Sequence, residues 1–125
     1  MHAFRSLACL LPLAINLFSQ ATSTSGDIRG AILDPSGNSL AAAKVTVSND
    51  ERGFTRSTVS TAEGRFTITS IPPGIYKVRT EAPGFTTKVV ESLEVRVGDV
   101  ISLLIQLPIS TVESEIVVIA DIAAV

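Results

Sequence analysis

The sequence has no tryptophan, one histidine (His2) and one cysteine (Cys9), and aromatic residues make up only 5% of it. Both reactive residues fall within the first ten positions. No later residue can therefore supply an imidazole base, a thiol nucleophile, half of a disulfide, or a His or Cys metal ligand. A basic excess is missing too: 10 Lys and Arg stand against 12 Asp and Glu, a net charge of −2. With no cationic surplus to neutralise phosphates, nucleic acid is excluded as an expected partner. Long apolar runs are also absent. The main one, residues 7–18 (LACLLPLAINLF), is broken by Pro12 and Asn16. As a helix it would reach about 18 Å, well short of a ~30 Å hydrocarbon core. What is present is 125 residues, 46% of them hydrophobic, the size and composition of one packed domain.

Residues 1–21 differ in character from the rest. Arg5 provides a basic start, 7–18 the apolar segment, and Ser19 and Ala21 the small side chains at −3 and −1 of a cleavage site, a pattern that predicts a Sec signal peptide. A lipoprotein signal would need Leu three positions before Cys9, where Ser6 stands. Cleavage after Ala21 would leave 125 − 21 = 104 residues with 9 basic and 12 acidic side chains, a charge of −3, and no transmembrane helix. The expected location is the periplasm or outer membrane, with secretion as the alternative. A mature domain without Cys or His has to stand on its hydrophobic core alone.

Beyond a polar linker at 22–26, the pattern has a period of two and is punctuated by turn signals, as in an all-β sandwich. Strands are expected at 27–33, 44–49, 54–60, 65–69, 75–82, 86–97 and 100–107. The sixth is read as one bent strand because only Glu91 and Ser92 interrupt it. Asp34-Pro35-Ser36-Gly37-Asn38, Ile71-Pro72-Pro73-Gly74 and Pro83-Gly84 are turns with clear chemistry: proline presets φ and glycine accepts positive φ. The stretch Thr61-Ala62-Glu63-Gly64 reads as the turn of a hairpin. Inward candidates are Val45, Val47, Phe66, Ile68, Tyr76, Val78, Thr80, Val89, Leu93, Val95, Val97, Ile101, Leu103, Ile105 and Leu107. Leu104 breaks the alternation and suggests a last strand covered on both faces. Seven strands make a small Greek-key β-sandwich over 27–107. The tail, 108–125, contains the apolar extended run Ile116-Val117-Val118-Ile119, expected to be an extra edge strand or a segment awaiting a partner's sheet. Without a closing signal at Ala123-Ala124-Val125, the chain is expected to continue.

Five motifs in order, Gly30-Ala31-Ile32-Leu33-Asp34-Pro35-Ser36-Gly37, Ala43-Lys44-Val45-Thr46-Val47, Glu63-Gly64-Arg65-Phe66, Ile71-Pro72-Pro73-Gly74-Ile75-Tyr76-Lys77-Val78 and Ala82-Pro83-Gly84-Phe85, resemble the carboxypeptidase regulatory-like domain. The resemblance covers about 27–107 and implies a transthyretin-like, seven-stranded sandwich. Two departures stand out. Thr61 occupies a position where the family usually has a turn-capping Asp, and Ala41-Ala42-Ala43 replaces Pro-Gly-Ala. In the tail, Glu115-Ile116-Val117-Val118-Ile119-Ala120 is similar to the TonB box of TonB-dependent outer-membrane receptors. In some of these a signal peptide, one such domain, the box, a plug and a barrel follow in that order.

Candidate sites are few. A Ser or Thr nucleophile would need Lys44, Lys77 or Lys88 as its base, and all three are expected in solvent. The carboxylate pairs Asp50 with Glu51 and Glu113 with Glu115 are poorly placed for acid and base work: adjacent strand residues face opposite ways and the second pair is in the tail. Asp34, Asn38 and Asp50 do not form a contiguous calcium loop. An internal isopeptide bond from Lys44 lacks an Asn after Asn49. No cofactor is expected. For carbohydrate, the candidate contact rings are Phe54 and Phe85 at strand ends, with Tyr76, like Phe66, at an inward position of its strand. The expectation is a non-catalytic exported module that contacts proteins in the periplasm or outer membrane. A carbohydrate-binding module is the alternative, and a structural spacer is the third.

Overall fold

The computed structural model describes residues 24–110 and 115–120. The expected signal peptide and Glu113 lie outside them. Among the described residues there are eight strands: β1 (Gly26–Leu33), β2 (Lys44–Asn49), β3 (Phe54–Val59), β4 (Arg65–Ile71), β5 (Gly74–Glu81), β6 (Thr87–Val95), β7 (Val100–Gln106) and β8 (Glu115–Ile119). They form a three-stranded sheet, β4-β1-β7, and a five-stranded sheet, β3-β2-β5-β6-β8. The first seven are the expected strands. Gly26, assigned to the linker, opens β1, and the tail supplies the eighth strand at the edge of the larger sheet. No helix among the described residues is long and apolar enough to cross a membrane.

The core lies between the sheets and follows the two-residue alternation. Val45, Val47, Val78, Ile28, Ile32, Ile71, Leu93 and Leu107 are completely buried, and Phe66, Ile68, Tyr76, Val95, Ile101 and Ile105 nearly so. Side chains of adjacent residues in a strand leave opposite faces, so one face of each sheet can be apolar while the other remains wet. Within the small sheet β1 lies very close to its parallel neighbour β7, with Gly30 opposite Leu103. A methyl group at Gly30 would lie 2.1 Å from the Leu103 carbonyl oxygen and 2.9 Å from the Phe66 ring.

Four expectations are corrected. First, β3 and β4 are not a hairpin: β3 pairs with β2, and β4 pairs with β1 in the other sheet. The turn between them is tight, with the Gly64 N–H donating to the Thr61 carbonyl, but Ser60 fixes the end of β3 elsewhere. The Ser60 hydroxyl donates to the Leu40 carbonyl at 2.7 Å and accepts from the Ala43 N–H at 2.9 Å. Second, Val97 is 55% exposed. The strand stops at Val95 because the Asp99 carboxylate accepts the Arg96 N–H at 3.0 Å, and the resulting turn takes Val97 out of the alternation. Third, Leu104 is 72% exposed on the outer face of the small sheet, which nothing in the described residues covers.

The fourth concerns β6. It is one strand, as expected, but Ser92 has φ 60° and the register with β5 shifts between Tyr76 and Val78. A one-residue bulge exchanges the faces of every residue beyond it. Leu93 pairs with Tyr76 and faces the core, yet on the other side of the bulge it is Val90, opposite Val78, that packs against the core. Val89 pairs with Arg79 and belongs to the outer face, where it is nonetheless buried.

The two departures from the motif pattern are absorbed locally. Thr61 still caps its turn, since its hydroxyl accepts the Arg65 N–H at 3.3 Å. Ala42 takes the left-handed conformation, φ 59°, at the position where glycine would be unstrained.

Candidate functional site

A shallow cleft of about 640 Å³ lies at one end of the five-stranded sheet, among residues 48–52, 74–77 and 91–92. Local chemistry builds its wall. Asn49 leaves β2 extended and its side-chain oxygen accepts the Arg52 N–H at 3.2 Å, capping a single 3-10 turn, Asp50–Arg52, that Gly53 stops at φ 62°. The Arg52 guanidinium then donates to the Pro73 carbonyl at 2.7 Å, tying this turn to the loop before β5. On the floor, the Tyr76 hydroxyl donates to the Pro72 carbonyl. At the far side, Lys77 and Glu91 form an ion pair at 3.8 Å. Acidic and basic groups are thus mixed: Lys77 and Glu91 engage each other, while Asn49, Arg52 and Tyr76 are engaged with backbone groups.

Of the aromatic candidates only Tyr76 lines this cleft, and all three lean inward. Tyr76 is 1% exposed. Phe54 is half-buried and meets Tyr76 edge to face, with ring centroids 5.4 Å apart and planes at 72°; the Arg56 guanidinium lies 5.0 Å from its centroid. Phe85 is half-buried against the core, and its backbone bridges to Ile109. Each ring is engaged on at least one side by protein, which limits the area left for stacking on a sugar.

The remaining candidates are scattered. Lys44 is exposed, Lys77 is in the ion pair, and Lys88 is half-buried, opposite Thr80. Asp50 and Glu51 are successive residues of the 3-10 turn. Asp34 uses one carboxylate oxygen to accept the N–H groups of Ser36 and Asn38, both at 2.9 Å, which makes it a turn cap. No cluster of three metal-ligating side chains occurs among the described residues.

The second feature is the edge itself. β8 runs parallel to β6, with Glu115 opposite Thr87, Ile116 opposite Lys88, Val117 opposite Val89, Val118 opposite Val90 and Ile119 opposite Glu91. The Arg79 guanidinium, one strand further in, reaches the Glu115 carboxylate at 2.9 Å. Ala120, the last residue of the candidate segment, packs partly against the core and donates its N–H to the Glu91 carbonyl at 2.8 Å. Arg79 has no signal in the sequence: it is one solvent-facing charge among several on β5, 36 residues away from its partner.

The family profile of the carboxypeptidase regulatory-like domain matches residues 27–108. The chain belongs to this family. A search of curated proteins finds no match. Among solved structures, the carboxypeptidase regulatory-like domain is similar to the TIE protein of Bacillus anthracis, with TM-score 0.57 and 24% identity over 69% of this chain and 17% of that one. It also resembles a proposed carbohydrate-binding protein from Bacteroides uniformis, with TM-score 0.54 and 19% identity over 66% and 40% of the two chains. A third likeness is to a type II cohesin–X–dockerin complex from Acetivibrio cellulolyticus, with TM-score 0.55 and 19% identity over 66% and 56%. At these identities the shared property is the fold, and the domain spans well under two thirds of each of those chains.

Proposed function

We propose that this carboxypeptidase regulatory-like domain is an exported, non-catalytic interaction module carried ahead of the plug of a TonB-dependent outer-membrane receptor. In that reading Glu115–Ile119 with Ala120 is the segment that recruits the energy-coupling partner. The observation that carries it is the placement of this segment: directly after the sandwich, extended, and exposed along its length at the edge of a sheet. An extended apolar strand with a free edge is the form in which main-chain pairing recruits a partner. The absence of His and Cys after position 9 supports the non-catalytic part.

Fractionation of the source cells with an antibody against the domain tests this reading. An outer-membrane band several times heavier than 13.1 kDa is expected. A soluble band slightly lighter than that would overturn it. A sugar-binding function has the likeness to the Bacteroides uniformis protein in its favour, while the inward packing of Phe54, Phe85 and Tyr76 weighs against it. Titration with polysaccharides, read by chemical shifts around Asn49 and Lys77, distinguishes the two.

A further inference from the structure

The edge of β6 selects what lies on it. At its first position an acid is favoured, because Arg79 stands over that end and holds Glu115 at 2.9 Å. In the middle a β-branched apolar residue is favoured, because Val117 lies next to Val89, which is only 2% exposed although it faces outward. Beyond the last pair a backbone donor is required, supplied by the Ala120 N–H to the Glu91 carbonyl. The edge is thus a short receptor for a parallel strand of defined register.

Its present occupant is lightly held. All five residues of β8 are exposed, from 40% for Ile116 and Val118 to 72% for Ile119. The one ion pair is open to water, with both side chains more than 40% exposed, and such pairs are worth at most ~1 kcal/mol. A strand attached along one edge, with little of its surface buried, opens far more readily than the core strands. When it leaves, Val89, Val90 and a row of backbone groups are uncovered, and an apolar open edge is a template for another strand.

We propose that residues 87–91 are an exchangeable strand-docking site, whose second occupant is Glu115–Ile119 of another copy of this chain. An incoming copy offers the same acid for Arg79, the same valine for Val89 and the same N–H for Glu91, so the contacts regained equal those released. Exchange leaves the displaced β8 free. The inference rests on the register between β6 and β8 and is independent of the receptor reading.

The test uses a fluorescent peptide of the sequence 114–121 and the full chain in a Cys9→Ser background. Three forms are compared by anisotropy: the parent, Val118→Pro, which places a residue without an N–H in the middle of β8, and Lys88→Cys with Ile116→Cys, oxidised to lock β8 onto β6. Binding to Val118→Pro is expected to be at least about tenfold tighter than to the parent, and the locked chain should bind only after reduction. Register is tested by charge reversal. Arg79→Glu in the Val118→Pro chain should weaken the peptide about fivefold, and a peptide carrying Glu115→Arg should restore it. If Val118→Pro does not fold, Glu115→Arg in the full chain opens the edge by repulsion from Arg79 and replaces it. Equal binding to parent, opened and locked chains, or none to a folded opened chain, overturns the proposal. Binding of a TonB C-terminal domain to the parent chain is measured separately. Its absence counts against the receptor reading and leaves the docking result standing.

Discussion

β2 and β8 belong to the same sheet and have similar apolar residues, yet they occupy opposite ends of the stability scale. Val45 and Val47 of β2 are completely buried between two paired neighbours, β3 and β5, and under the opposing sheet. Val117 and Val118 of β8 are 52% and 40% exposed and have one neighbour, β6. The side chains are chemically the same. What differs is how many surfaces close over them, and hydrophobic stabilisation follows the area removed from water and not the residue type. A strand that contributes little to folding can be given up at little cost, which suits a segment with a second use.

The sharpest way to break the comparison is inside the small sheet, where β1 lies against β7. Gly30→Ala places a methyl group 2.1 Å from the Leu103 carbonyl, a backbone atom that can move only if β7 moves with it. The expected loss is about 3 kcal/mol or more, or failure to fold, in urea denaturation, since overpacking against backbone belongs to the large-effect class. No side-chain truncation in β8 should approach that.

A matched pair sharpens the contrast directly. Val47→Ala removes two buried methyl groups and leaves a cavity, for an expected cost of about 2 kcal/mol. Val117→Ala makes the same chemical change in a half-open strand and should cost less than about 0.5 kcal/mol. Equal losses in denaturant midpoint would mean that β8 is an integral part of the core.

A further predicted effect has the opposite sign. Ala42 holds φ 59° in the loop that leads into β2, and a left-handed alanine is strained by ~1–2 kcal/mol, partly offset in glycine by its greater unfolded-state entropy. Ala42→Gly should therefore stabilise the sandwich by about 0.5–1 kcal/mol in thermal denaturation, while amide exchange in β8 stays as it was.

Most of the sandwich was legible because alternation and turn chemistry are local. Val45 and Val47, Phe66 and Ile68, and Tyr76, Val78 and Thr80 are buried as their spacing predicts. The misreadings share a cause. The hairpin between β3 and β4, the inward Val97 and the doubly covered Leu104 each depend on what lies across from a strand or where it ends, and periodicity carries neither. The candidate site was less legible still. The half-buried state of Phe54 depends on Tyr76, 22 positions away in the chain, and the place of Val89 depends on a single bulge at Ser92.

By itself, the sequence determined the class and much of the chemistry that is closed to this protein. Two-residue periodicity makes strands, Gly and Pro end them, and beyond position 9 the chain carries no imidazole or thiol. Only the tertiary structure decided which strands became neighbours, because hydrogen-bond partners in a sheet are chosen by the global packing of apolar faces and not by nearness along the chain. That is why one pair of valines, Val45 and Val47, came to lie in the core, and the apolar run 116–119 became an edge.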